Sequence, residues 1–134
     1  MILSVGDVVA DHTYSLTRDS LVRYAGASGD FNPIHYSDDV ARAVGLPGVL
    51  AHGMLTMGVA VQPVVDWLGD RGAITEYGVR FTRPVPVDPL EGASVTVLAT
   101  VGAVSDDDTA RIDLTVMFNA ETVLGKAQVK VVFF

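Results

Sequence analysis

The spacing of apolar residues divides the chain into a helical first half and a strand-rich second half. After Thr17, the residues Leu21, Val22, Tyr24 and Ala25 form an apolar helical stripe. Thr17 predicts the N-cap, Asp19 suits the positive end of the helix dipole, and Gly26 and Gly29 bracket the end. Residues 28–38 read as a polar loop around Asn32-Pro33. Asp38 predicts the cap of a short helix through Ala43, stopped by Gly45 and Pro47. The run Ala51-His52-Gly53-Met54-Leu55-Thr56-Met57-Gly58-Val59-Ala60-Val61 is apolar on nearly every side, so it predicts a helix inside the protein. Pro63 is expected to kink or restart it, because its ring clashes with the preceding turn. The pattern resumes through Val64, Val65, Trp67 and Leu68 and stops at Gly69.

Beyond residue 73 the period becomes that of strands. Four are predicted: Ile74–Thr82, Ser94–Val104, Ala110–Phe118 and Leu124–Phe134. In the third, Ile112, Leu114, Val116 and Phe118 share a face; in the last, Val129, Val131 and Phe133 do, with Lys130 opposite. Pro84 and Pro86 mark an edge or a connection, since neither can donate to a ladder. With a strand ahead of the first helix, the order strand, helices, strands is an α+β plan in one domain, residues 1–134. A sheet wrapped around one helix accounts for the apolar run at 51–61. The ending Val131-Val132-Phe133-Phe134 is apolar on both faces and wants a cover, which predicts a dimer or higher oligomer.

Composition narrows the function classes. The balance of 9 basic and 16 acidic residues, net −7, disfavours a nucleic-acid binder. No Cys is present, which excludes disulfides, thiolate metal sites and a cysteine nucleophile. No apolar run approaches the ~20 residues that span a bilayer, and the opening Met1–Asp7 has no basic region of a secretory signal. The expectation is a soluble, cytoplasmic domain with no membrane or nucleic-acid partner.

Proton chemistry has few candidates. Of the 3 histidines, His35 closes the segment Gly29-Asp30-Phe31-Asn32-Pro33-Ile34-His35. Asn32-Pro33 bends the chain, so Asp30 and His35 can be aimed into one cavity. Two readings stand: Asp30 and Asn32 cap a turn while His35 packs, or carboxylate, amide and imidazole form a general acid–base site. Gly53 opens the apolar helix, where backbone N–H groups lack intrahelical partners. It either donates to a carbonyl oxygen or eases close packing. His52 is read first as an anchor of the helix start and loop. Met54 and Met57 are read as core first and as lining for an acyl chain second. His12 reads as exposed, and Asp106-Asp107-Asp108 as a solvated turn.

The stretch Tyr24–His35 with Gly-Asp-x-Asn-Pro-x-His, then Ala41, then Ala51-His52-Gly53-Met54-Leu55, resembles the MaoC-type or hydratase-2 family. Val5-Gly6-Asp7 and Arg80-Phe81-Thr82 extend the likeness over nearly the whole chain. It is similar above all to the catalytic B-type subunits of (3R)-hydroxyacyl-ACP dehydratases. The resemblance implies a hot-dog fold, a curved antiparallel sheet around a long central helix. It implies a hydro-lyase acting on (3R)-hydroxyacyl and trans-2-enoyl thioesters of CoA or ACP. Asp30 and His35 match the catalytic pair and Gly53 the backbone donor to the thioester carbonyl. Asn32, His52 and Met54 are counted as substrate-binding. Neither cofactor nor metal is implied. The partner would be a second copy or a related hot-dog subunit, with Arg71, Arg80 and Arg83 as a local basic patch for an acidic carrier. Some single-chain enoyl-CoA hydratases of this family carry a serine further along the central helix, where Gly58-Val59-Ala60-Val61 offers no hydroxyl. A thioesterase on the same fold and a non-catalytic acyl-binding subunit are the alternatives.

Overall fold

A computed structural model describes residues 2–134. The elements run β1 (Val8–Leu16), α1 (Arg18–Ser28), a 3₁₀ turn (Pro33–His35), α2 (Asp38–Ala43), α3 (Gly53–Leu68), β2 (Gly72–Phe81), β3 (Ala93–Val104), β4 (Thr109–Phe118) and β5 (Glu121–Phe133). All strand pairings are antiparallel and the sheet order is β1-β3-β4-β5-β2, so β1 and β2 are the edges. The sheet's inner face carries Val95, Val97, Ala99 and Val101 of β3, Ile112, Leu114 and Val116 of β4, and Ala127, Val129 and Val131 of β5. Against it lie Ala60, Val64 and Leu68 of α3. This is the sheet-around-helix plan expected from the change in period at residue 73. Burying one such aliphatic side chain contributes about 1.5–3 kcal/mol, so this face holds the layers together.

The elements begin and end close to where the sequence puts them, for identifiable reasons. Thr17 caps α1, accepting from the Ser20 N–H while the Ser20 hydroxyl accepts from the Thr17 N–H. Gly29 ends α1 at φ 78°, a backbone conformation costly for a residue with a Cβ. Gly26 lies inside the helix, and Val22 faces outward rather than into the core. Ser37, one residue ahead of the expected Asp38, caps α2 through its hydroxyl.

Two expectations for the central helix are corrected. α3 runs unbroken through Pro63. That proline is buried, and packing on both sides of it outweighs one missing backbone donor. Nor is α3 enclosed all round. Its Thr56, Ala60, Val64 and Leu68 side is buried, whereas Met54 is 58% exposed and Gly58, Gln62, Val65 and Asp66 follow it on an open face. Met54 is therefore not core. The Tyr77 hydroxyl of β2 donates to the Met57 carbonyl at 2.6 Å and pins α3 to the edge strand. Burial pushes that phenol up to about 12.

The segment before α3 is fixed by the loop that follows β2. Ala51 N–H donates to the Val85 carbonyl (2.9 Å) and Val87 N–H to the Val49 carbonyl (3.0 Å), with Leu50 opposite Pro86. Pro86 thus sits where no donor is required, which reconciles an extended proline pair with strand-like pairing. At the end of β5, Phe133 meets Trp67 of α3 edge to face at 6.0 Å, while Phe134 stays exposed. Among the described residues, no helix is long and apolar enough to cross a membrane.

Candidate active site

The loop after α1 folds on its own polar groups. Ser28 Oγ accepts from Asp30 N–H, Asp30 Oδ1 accepts from Asn32 N–H, and Asn32 Oδ1 accepts from Ile34 N–H at the start of the 3₁₀ turn. Pro33 occupies the first position of that turn, where a missing donor costs nothing. The Asn32 carbonyl is thereby committed to shaping the loop, and only its amide NH₂ is left for a substrate oxygen.

This turn brings His35 back toward Asp30. His35 Nε2 lies 3.9 Å from Asp30 Oδ2. Its Nδ1 is 2.7 Å from the Leu50 carbonyl. A carbonyl can only accept, so Nδ1 carries the proton and the lone pair of neutral His35 sits on Nε2, facing the carboxylate. Leu50 is itself held by the Ile34 carbonyl and by the strand-like pairing with Pro86.

His52 completes the cluster from the other side of the chain crossing. Its ring stacks on that of His35, centroids 3.9 Å apart and planes 21° apart, and Tyr24 of α1 meets it edge-on at 4.8 Å. His52 Nε2 lies 3.2 Å from the Asp30 backbone carbonyl, so by the same logic Nε2 carries the proton. Nδ1 is then a buried lone pair without a partner among the described residues, a feature costing about 1–3 kcal/mol. Burial holds the imidazole below its usual 6.5, and the nearby His35 adds to this. His52 is 1% exposed. It anchors the loop, as expected, but it offers no surface to a substrate and does not cap α3 through its side chain.

Gly53 is the first residue of α3, and the first backbone acceptor used there is that of His52, which takes the Thr56 N–H. The Gly53 amide is left free, at the positive end of the dipole. A Cβ at this position would stand 2.9 Å from Cε1 and 3.1 Å from Cδ1 of Phe81. Both sequence readings of this glycine thus have a physical basis. Beside it opens a cavity of about 280 Å³ lined by Gly53, Thr56, Phe81, Leu50, Val85 and Leu124 among others. Met54 is exposed and is not among the residues lining this cavity.

The profile of the MaoC like domain matches residues 4–116. The chain belongs to the MaoC-like family. A stretch of 80 residues, 60% of this MaoC-like chain and 28% of the relative, is 35% identical to 3-hydroxyacyl-thioester dehydratase X of Mycobacterium tuberculosis. Over 88 residues, 65% of this chain and 61% of the other, it is 31% identical to the (R)-specific enoyl-CoA hydratase of Rhodospirillum rubrum. A solved MaoC-like dehydratase superposes with a TM-score of 0.92 at 35% identity, covering 98% of this chain and 41% of that one. The chain spans less than a third of the M. tuberculosis dehydratase and less than half of the solved structure. The hot-dog architecture is thereby established.

Three features of this MaoC-like site escaped the sequence. The Asp30 side chain is 51% exposed, against 11% for His35. Thr56, one turn into α3, is buried, lines the cavity and donates toward the His52 carbonyl at 3.5 Å. It is the only hydroxyl in the run 51–61, which was a usable signal. Leu50 acts through its carbonyl, which no side-chain pattern announces.

Asp30, His35 and His52 each offer a donor atom within 4.8 Å of the others. The donor set suits a divalent cation, but its geometry does not. Imidazole lone pairs lie in the ring plane, and two stacked rings direct them along parallel planes rather than toward one point. The free nitrogens are His35 Nε2 and the enclosed His52 Nδ1.

Proposed function

We propose that this MaoC-like domain is a hydro-lyase that adds water to trans-2-enoyl thioesters and removes it from (3R)-hydroxyacyl thioesters. The observation that carries this is the Asp30–His35 pair, with the His35 lone pair turned toward the carboxylate by the Leu50 carbonyl. Relatives of the same family named as a dehydratase and an (R)-specific hydratase support it.

Dehydration needs one proton taken from C2 and one given to the C3 oxygen as that C–O bond breaks. The electron pair of the C2–H bond becomes the C2–C3 double bond, and the hydroxyl leaves as water. A pair holding a single proton can do both. With the proton on Asp30, neutral His35 is the base and the carboxylic acid protonates the leaving oxygen. With the proton on His35, the carboxylate is the base and the imidazolium the acid. The two schemes differ only in where one proton rests, so the pair is treated as one unit. After the reaction the pair again holds one proton. Each correctly placed acid or base contributes roughly 10²–10⁴ in rate.

As C2 loses its proton, charge moves onto the thioester oxygen. The free Gly53 amide at the head of α3 supplies a donor for it, and one such donor is worth about 10²–10³. Asn32 offers its NH₂ to the substrate hydroxyl. The exposed side of Asp30, the open face of α3 and the β2 edge support a working form in which a second copy, or a related hot-dog subunit, closes the site. Of the three arginines, Arg83 lines the cavity beside Gly53 and Arg80 is exposed nearby in sequence, so these two suit the phosphates of a CoA or ACP carrier; Arg71 donates to the Leu68 and Trp67 carbonyls at the far end of α3. The reading requires no metal and no cofactor, and places the reaction in the cytoplasm.

The test is loss of enoyl absorbance from crotonyl-CoA by the purified chain, alone and with a candidate partner. Asp30→Asn and His35→Ala should lose it. Release of free thiol in place of water addition would identify a thioesterase and overturn the assignment.

A further inference from the structure

His52 belongs to neither the proton pair nor the carbonyl donor, yet it is the most enclosed polar side chain of the site. It lies 22 residues from Asp30 in sequence, and its Nε2–H is the only side-chain donor to the Asp30 carbonyl among the described residues. Its ring is the floor on which His35 rests. A loop closed on Ser28 and Asn32 alone fixes its own turn. The 3₁₀ turn is tied to the segment before α3 at Leu50, through the bonds of Ile34 and His35; His52, joined directly to Gly53, adds the tie at Asp30 itself.

We infer that His52 is a positioning residue: one imidazole, bonded to the Asp30 backbone and stacked on His35, sets the separation between the two acid–base groups and ties it to the Gly53 amide. This deepens the hydro-lyase reading and rests on it. The groups facing His52 are Asp30 from the loop, His35 from the 3₁₀ turn and Tyr24 from α1. Burial keeps His52 itself uncharged, so it adds no positive charge beside an imidazole that must gain and lose a proton.

Side chains that separate the two contacts test this. Gln places an amide N–H where Nε2 stands and keeps the bond to Asp30. Asn places it near Nδ1 and does not reach. Phe keeps the stacked ring and has no donor. With crotonyl-CoA as substrate, His52→Asn and His52→Phe should lower kcat at least tenfold and leave KM within about threefold, while His52→Gln recovers most of the loss. A role in stability alone would lower the folded fraction and leave kcat per folded molecule unchanged in all three variants.

A second measurement needs no substrate. The backbone carbonyl ¹³C resonance of Asp30 should move upfield in His52→Asn and His52→Phe, which lose its donor, and return in His52→Gln. If the resonance stays in place in folded His52→Asn, the positioning role is wrong whatever the activity. If wild type hydrates no enoyl thioester but the resonance moves as expected, the hydro-lyase reading fails and the anchor survives. Wild-type kcat in His52→Phe, or a raised KM at constant kcat, would also overturn the proposal.

Discussion

Replacing Gly53 by alanine separates the two roles open to this residue. The added methyl carbon would lie 2.9 Å and 3.1 Å from two ring carbons of Phe81, about half an ångström or more inside ordinary contact. Phe81 is 56% exposed, so its ring can swing outward, and the displacement costs little packing. Alanine in place of glycine favours a helix by up to about 1 kcal/mol, less at a first turn. The two effects oppose each other, and the urea midpoint should move by less than the equivalent of about 1 kcal/mol. Activity should respond differently. The methyl sits beside the free amide where a thioester oxygen would approach, and losing one such donor costs about 10²–10³ in kcat. The double variant Gly53→Ala/Phe81→Ala removes the ring that the methyl would meet. If glycine serves packing alone, the second substitution restores kcat; if the amide binds the oxyanion, it does not. Steady-state hydration of crotonyl-CoA, alongside urea unfolding of the same preparations, decides. Full kcat in Gly53→Ala, or its recovery in the double variant, would refute the donor assignment.

Asp30→Asn and His35→Ala should each lower kcat by roughly 10²–10⁴, and the double variant should be little worse than the poorer single one, because the two residues handle one proton together; additive losses would show that they act separately. Asn32→Ala removes the cap of the 3₁₀ turn and should cost about 0.5–2 kcal/mol in unfolding free energy together with activity, checked by urea titration and kcat. His52, held below 6.5 when folded, takes up a proton on unfolding. Stability should therefore be full above pH 6.5 and fall as pH drops from there toward the folded value. Asp38 and Asp88, both held below 3.8 by hydrogen bonds, act only at lower pH. Urea midpoints at pH 7.5 and 5.5 should differ for wild type and coincide for His52→Gln.

Much of this arrangement was legible before any coordinates. The strand periods in β3, β4 and β5 are set by alternating burial, which the sequence displays directly. The bend at Asn32-Pro33 predicted that Asp30 and His35 could be aimed into one cavity; they come within 3.9 Å of each other, but neither lines the cavity beside Gly53. What escaped was set by contacts between distant segments. Pro63 is harmless because tertiary packing supports α3 on both sides of it. Asp30 is open because its side chain stands at the surface of the loop, an outcome of how the loop packs that residue type does not encode. His35 owes its tautomer to the carbonyl of Leu50, a group every residue possesses, so no residue type could reveal it. His52 was recognised as an anchor, but the stacked ring pair depends on how the 3₁₀ turn crosses the start of α3.

The central claim is that Asp30 and His35 exchange water across a thioester's C2–C3 bond beside the Gly53 amide. Hydration of crotonyl-CoA in D₂O, followed by NMR of the product, tests it most directly. The account predicts (3R)-hydroxybutyryl-CoA with one deuteron at C2, in the single diastereomer that addition to one face gives, and no product from Asp30→Asn. Free CoA, a mixture of C3 configurations, or unchanged turnover by Asp30→Asn would contradict it.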